Sequence, residues 1–427
     1  MTGWFSRRLG PGAPQEPGRD LALEGMRGLC ACLVLYGHMT IPQARLDPGY
    51  APPWCLWWLN LGSTAVLFFF VLSGYVIGLS VRSPFSGGGA AGYLGRRLLR
   101  LAPVNTAAVF LSWLFIPRVA HMTIYGNLLF LQNFKPYPFR LYPFLNYIAV
   151  MPDNENLWSL NFEALYYVAF LAVWWLAPSL GSFLLVAALG TLAASVSLGS
   201  HVLGSAYMFG ALYWFAGLAV AWLAPKDAFR GNWPSALLAL LVMWPLAPLQ
   251  RLLYSVNLGD PMYPLPIPAL HRLDQLPVVL WVLLAVTGRG AALRKWLGPT
   301  SLAMASAALV FVAMHPGLLD QGAVILYGAA ILAGWILLGW GPQTRALAAL
   351  APVGAISFGI YAVGFPIGYS IFKSPFLPSG TAMTYTLRVL VLVVLTFGIA
   401  WILERKLQPA VRDFFRKRPA NKQPIGA

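Results

Sequence analysis

The chain is a succession of long apolar runs separated by short stretches in which proline, glycine and basic residues concentrate. A run of about 20 apolar residues, rising about 1.5 Å per residue, spans the roughly 30 Å hydrocarbon core of a bilayer. Segments of this kind fall at about 20–40, 61–81, 102–117, from 157, then 180–200, 205–224, 235–250, 274–289, 300–317, 321–340, 352–372 and 382–403. Long stretches of alternating polar and apolar residues are absent, which argues against a β-barrel. The pattern predicts an all-α, polytopic integral-membrane bundle of 10–12 transmembrane helices with no soluble domain. Residues 1–19 read as a Pro/Gly-rich disordered tail, 20–404 as the membrane domain and 405–427 as a short basic tail. Between the third and fourth segments, YGNLLFLQNF predicts a short helix at the outer surface.

Composition agrees with a bilayer location: 59% of residues are hydrophobic and 10% charged, with a mean hydropathy of +0.67. The net charge of +16 changes the picture only in where it lies. The 29 lysines and arginines sit mainly in short runs between apolar segments, as positive-inside loops and anionic headgroups require, which argues against a nucleic-acid partner. No apolar signal-peptide core precedes Asp20, and Arg7, Arg8 and Arg19 hold the start in the cytoplasm. Lys226 and Arg230, then Arg289, Arg294 and Lys295, then Arg345, then Arg405, Lys406 and Arg412 fall on alternate connections, so both termini are expected in the cytoplasm. The loop 251–272, with two arginines and several prolines, is the exception, read as external. Abundant Ala, Leu, Gly and Arg with little Lys points to a GC-rich bacterial genome, and so to a bacterial cytoplasmic (inner) membrane. Cys30, Cys32 and Cys55 have no metal or redox spacing, so neither a metal site nor a permanently bound cofactor is expected.

Against this background the stretch EGMRGLCACLVLYGH, Glu24 to His38, stands out. At about 100° per residue Arg27 and His38 lie within ~20° of one helix face and ~16 Å apart along it, with Glu24 one turn before Arg27. Ionisable side chains in a membrane segment face protein or a water-filled path and mark function by default. Arg96, Arg97 and Arg100 form the densest interior basic cluster, just before the third segment, and Glu163 opens the fourth.

These motifs have a family resemblance. EGMRGLCACLVLYGH resembles the Asp-Gly-Leu-Arg-Gly opening and Arg-X10-His motif of the membrane acyltransferase-3 family, with Glu24 where aspartate is commoner. FFFVLSGYVI resembles that family's second-helix signature, YLGRRLLRLAP its Arg-Arg-X-X-Arg run, and LWSLNFEALYYV its Leu-Trp-Ser-Leu-X-X-Glu helix. ISFGIYAVGFPIG is similar to a late Ser-Tyr-X-Ile-Tyr-Leu-X-His-X-Pro helix, but Gly364 stands where the family often has histidine and Phe358 replaces a tyrosine. His315 is a candidate substitute for that histidine.

The resemblance implies transfer of an acyl group, usually acetyl, from cytoplasmic acyl-CoA to a hydroxyl of a carbohydrate or lipid-linked glycan outside. Such a transfer needs a base for the attacking hydroxyl, and histidine suits it near neutral pH. His38 is the expected base, with Glu163 as the carboxylate that orients its ring. Arg97 and Arg100, one turn apart, are expected to hold the donor's phosphates with Arg27 further along its path. Glu24, Ser159 and Arg96 are supporting candidates, and a tunnel between an arginine pole and a His38/Glu163 pole is expected. The alternatives from other classes are a transporter using the same intramembrane Arg, Glu and His, or a non-catalytic part of a polysaccharide export complex. A transporter predicts two related halves or paired broken helices, and none are visible.

Overall fold

The computed structural model describes residues 20–40, 46–81, 83–116, 118–132, 148–175, 203–226, 232–246, 272–340 and 344–416. The N-terminal tail, the segment expected at 180–200, most of the loop at 251–272 and the last eleven residues, 417–427, lie outside them. Among the described residues the chain is helical, with one isolated β-bridge between Lys226 and Arg289. Helix α1 is Leu21–Thr40, α2 Gly62–Ser80, α3 Gly87–Phe115, α4 His121–Leu128 and α5 Trp158–Trp175. Then come α6 (Leu203–Leu223), α7 (Trp233–Leu246), α8 (Leu276–Thr287), α9 (Ala291–Ala313) and α10 (Gln321–Leu338). Two short helices, α11 (Thr344–Ala349) and α12 (Ala351–Gly354), lead to α13 (Ser357–Lys373) and α14 (Ala382–Ile402). A π turn, Leu403–Leu407, joins α14 to α15 (Gln408–Arg416).

The chain is a polytopic membrane bundle. Six stretches among the described residues are long and apolar enough to cross a bilayer, and three apolar helices are shorter. Among the described residues some of the apolar runs expected to span form shorter helices packed inside the bundle. Helix α8 is the clearest: Val278, Val279 and every residue from Trp281 to Thr287 are buried. The third segment also begins earlier than expected. Helix α3 runs unbroken from Gly87 through Pro103, so the arginine cluster occupies its first half instead of a connecting loop.

Two glycine crossings set the spacing. A Cβ on Gly74 of α2 would lie 1.8 Å from the Trp214 carbonyl of α6, and one on Gly217 would lie 1.9 Å from the Val71 carbonyl. On the other flank, a Cβ on Gly25 would lie 1.6 Å from the Leu347 carbonyl, and one on Gly354 1.9 Å from the Glu24 carbonyl. Small residues let membrane helices approach backbone to backbone. The glycines of the opening motif thus seat α1 directly against α11 and α12.

Charge is divided between the ends. Arg97 Nη2 donates to Ser80 Oγ at 2.9 Å, Trp222 Nε1 to the Gly78 carbonyl at 2.9 Å, and Arg289 to Tyr75 and the Ala224 carbonyl, both at 2.8 Å. These bonds gather Arg97, Lys226 and Arg289 at one end, where α9 begins with Arg294 and Lys295. At the other end the turn before α14 is stapled to the loop after α1. Asp47 accepts the Gly49 and Gly380 N–H groups at 2.9 and 3.0 Å and the Thr384 hydroxyl at 3.0 Å. Buried Arg388 lies 3.8 Å from Asp47 and donates to the Leu46, Ile371, Leu377 and Pro378 carbonyls. Burial alone would push the Asp47 carboxyl up, but those donors and Arg388 outweigh it and hold it below its ordinary value.

Candidate active site

The motif helices surround two cavities. The first, about 740 Å³ of empty space, is lined by Arg27 of α1, Ser73 of α2, Arg97 and Arg100 of α3, Ser159, Glu163 and Tyr167 of α5 and Ser357, Phe358 and Tyr361 of α13. The expected arginine pole is therefore assembled from the separate motifs. Arg97 and Arg100 are a turn apart on α3, so both reach the cavity, whereas Arg96, about 100° away from Arg97, is exposed and not on the wall. The guanidinium groups of Arg27 and Arg100 make no hydrogen bond among the described residues, and the buried Ser357 hydroxyl, also on this wall, has no partner. Arg97 lies 5.6 Å from the Tyr93 ring centre and 5.8 Å from that of Tyr167.

The placement of these arginines rests on a proline within α3 and on the π turn after α14. Pro103 has no N–H for the carbonyl four residues back, and its ring opens that turn of α3. There Gln408 Nε2 of α15 donates to the Arg100 carbonyl at 2.7 Å. Glu404, in the π turn, accepts the Gly359 N–H at 2.6 Å near the start of α13 and attracts Arg27 and Arg100 electrostatically. Glu24 also attracts Arg27 but does not line the cavity, so its support is indirect.

The second cavity, about 710 Å³, is lined by His38, Leu46, Asp153, Glu155, Gly364, Phe365, Gly368, Tyr369, Phe372 and Leu392. The His38 ring meets Phe365 edge-on at 4.8 Å between centres. Asp153 adopts a positive φ of 55° at the mouth of this cavity. Burial pushes its carboxyl above the ordinary value, against the opposing Tyr369 hydrogen bond and Lys373 charge.

The structure does not bring His38 and Glu163 together, and the expected pairing is corrected. Glu163 lines the arginine cavity, where it accepts Ser73 Oγ–H at 3.0 Å and the Tyr167 hydroxyl. His38 instead lies beside the Asn156 side chain, close enough to interact with it. The reason is axial level: Asn156 belongs to the turn Glu155–Leu157 that precedes α5, and Glu163 lies seven residues further along, roughly 10 Å at 1.5 Å per residue. Asn156, Ser159 and Tyr361 form a hydrogen-bonded group beside the arginine cavity, on the path where the tunnel is expected. The Ser159 and Tyr361 hydroxyls are 2.7 Å apart, and both reach the Asn156 carbonyl, at 3.3 and 2.8 Å.

Asn156 was not singled out from the sequence, and its position follows from Pro366. Without a proline N–H, the Ala362 carbonyl of α13 loses its helical partner, and Asn154 Nδ2 takes it at 3.0 Å. One turn of the same break lies at the Tyr361 carbonyl, which accepts Asn156 Nδ2 at 3.1 Å. With Nδ2 so engaged, the amide oxygen is the end left for the imidazole N–H. The signal was present as the pair of asparagines in DNENLW and the proline of YAVGFPIG, but nothing in the sequence links them. Gly364 lines the His38 cavity where the family often carries histidine. His315 does not replace it: it is exposed at the end of α9, its ring on the Phe311 carbonyl at 2.7 Å.

A family model for an acyltransferase domain, that of acyltransferase-3, matches residues 20–405. The chain belongs to the acyltransferase-3 family. It is a membrane acyltransferase, and its family motifs are the segments that line the two cavities. No curated protein and no solved structure matches the chain. Among the described residues no group of His, Cys, Asp and Glu could hold a metal ion.

Proposed function

We propose that this acyltransferase moves an acyl group, acetyl in the simplest case, from acyl-CoA to a hydroxyl of an envelope or exported glycan. The observation that carries the reading is the arginine cavity: Arg27 and Arg100 present guanidinium groups without hydrogen-bond partners among the described residues, with His38 lining the second cavity. Guanidinium forks match phosphate oxygens in geometry and charge, which suits the donor's phosphates at this end. The same end gathers Arg97, Lys226, Arg289, Arg294 and Lys295 and is the cytoplasmic one by the positive-inside rule. The His38 cavity, rimmed by Asp153 and Glu155, then opens outward.

The chemistry is a single displacement. The His38 nitrogen not engaged with Asn156 takes the acceptor's hydroxyl proton as its oxygen attacks the thioester carbonyl. A C–O bond forms, the C–S bond breaks, and the leaving thiolate recovers the proton from the imidazolium. Asn156 fixes the ring and its tautomer, the part an asparagine plays in Cys-His-Asn sites. The hydrogen-bonded group of Asn156, Ser159 and Tyr361 is what the donor's arm must pass. Glu163, held by Ser73 and Tyr167, serves as counter-charge to the arginines.

The test is transfer of labelled acetyl from acetyl-CoA by the purified chain to a bacterial envelope extract. His38→Ala abolishes label transfer while acetyl-CoA still binds; full transfer by that variant refutes the assignment of the base.

A further inference from the structure

A third cavity, about 780 Å³, lies apart from both of these and has no place in the acyl-transfer reading. Its walls are Asn232, Trp281, Ala291, Arg294, Lys295, Pro299 and Leu338. Among the described residues on these walls two side chains are cations and none is acidic. Trp281 and Leu338 supply an apolar floor over which Gly298 leaves room: a Cβ there would sit 3.2 Å from each of them. Asn232 spends its Nδ2 on the Leu338 carbonyl at 2.7 Å, and its buried Oδ1 has no hydrogen-bond partner among the described residues.

The cavity is placed where a bilayer meets water. Helices α9 and α10 are both candidate membrane spans, and the cavity lies between the start of one and the end of the other. Exposed Leu293, Trp296 and Trp340 flank it, the side-chain types that settle at the headgroup level. It belongs to the basic end of the bundle, beside the Lys226–Arg289 bridge. Positive-inside topology alone explains cations at this end, but not a concave site with an apolar floor and an acceptor oxygen beside them.

We infer that this cavity binds the headgroup of an anionic glycerophospholipid of the phosphatidylglycerol type. Arg294 and Lys295 hold the phosphodiester, Asn232 Oδ1 accepts a headgroup hydroxyl, and the upper acyl chain lies against Trp281 and Leu338. Basic pockets between transmembrane helices recognise anionic lipids by this combination of charge and apolar wall. The hydroxylated headgroup is favoured over a plain phosphate because an unpartnered acceptor calls for a donor, which a phosphate diester alone lacks.

Native mass spectrometry of the full chain, delipidated and then given dioleoylphosphatidylglycerol or dioleoylphosphatidylcholine, tests this. One phosphatidylglycerol is retained at collision energies that strip phosphatidylcholine. The double variant R294Q/K295Q weakens retention about twenty-five-fold, from a factor of about five per cation. Leu338→Trp fills the floor without touching charge and also removes the adduct, which keeps the test open if the double variant misfolds. Equal retention of the two lipids, an unchanged adduct in either folded variant, or displacement by millimolar glycerol phosphate, which would mark a site for soluble phosphate esters, overturns the proposal.

Discussion

Replacing Asn156 by alanine tests the wiring of the site more sharply than removing the base itself. The substitution deletes two side-chain interactions, the 3.1 Å bond from Nδ2 to the Tyr361 carbonyl and the contact with the His38 ring. The Asn156 carbonyl that Ser159 and Tyr361 both reach is backbone and survives. Leaving the Tyr361 carbonyl without this donor costs about 1–3 kcal/mol of stability. In the transition state the imidazole becomes an imidazolium, and a hydrogen bond to a charged group contributes about 1.5–3 kcal/mol, so kcat falls about ten- to hundredfold. Asn154→Ala is the matched control. It strips the Ala362 carbonyl of an equivalent 3.0 Å bond at the same proline break but does not touch His38. Release of CoA thiol from acetyl-CoA in the presence of envelope extract, alongside thermal unfolding in detergent, separates the two. Both variants lose stability to a similar degree, and only Asn156→Ala loses kcat with little change in the KM for acetyl-CoA. A folded Asn156→Ala enzyme with unchanged kcat, or an equal kcat loss in both variants, refutes the orienting role.

Arg27→Ala and Arg100→Ala each raise the KM for acetyl-CoA about ten- to hundredfold, as loss of a charge-assisted hydrogen bond requires. Neither affects S-acetylpantetheine, which lacks the nucleotide phosphates, and exposed Arg96→Ala leaves both donors unaffected. Gly354→Ala forces a Cβ to within 1.9 Å of the Glu24 carbonyl and destabilises by about 3 kcal/mol or more, whereas Gly95→Ala, with open space around it, is neutral or slightly stabilising by melting temperature. Because the Asp47 carboxyl titrates below its ordinary value when folded, its contribution to stability is complete at neutral pH. It is lost as pH falls through the carboxylate range near about 4, where the unfolded chain binds the extra proton. Asp47→Asn removes that acid dependence, and unfolding midpoints measured across this pH range show whether it does.

Much of this arrangement was legible in the sequence because it depends on residues close together in the chain. The helical class followed from apolar run length, and the convergence of Arg27, Arg97 and Arg100 from the family resemblance of the motifs that carry them. That Arg97 and Arg100 share a face followed from their spacing of a turn. The partner of His38 did not. It depends on how far α5 is displaced along its axis against α1, and no periodicity encodes that offset. The turn that carries Asn156 is fixed by a proline about 210 residues later, through carbonyls that only a folded chain presents to it. The shortness of α8 was hidden for a related reason. Hydropathy treats α8 like a lipid-facing helix, although its twelve residues are enclosed by protein. The direction of that face, and so the separation of Arg97 and Arg100 from exposed Arg96, was known only with the azimuth of α3.

The contact of Gly25 and Gly354 with the opposing backbones has a practical use as a fixed ruler. With main chain against main chain and no side chain between, α1 and the α11–α12 pair have no soft layer in which to slide. A pair of spin labels attached across that seam should report one narrow distance, with or without donor. Labels placed across the hydrogen-bonded group at Tyr361 would then read any opening of the passage against a baseline set by the protein itself.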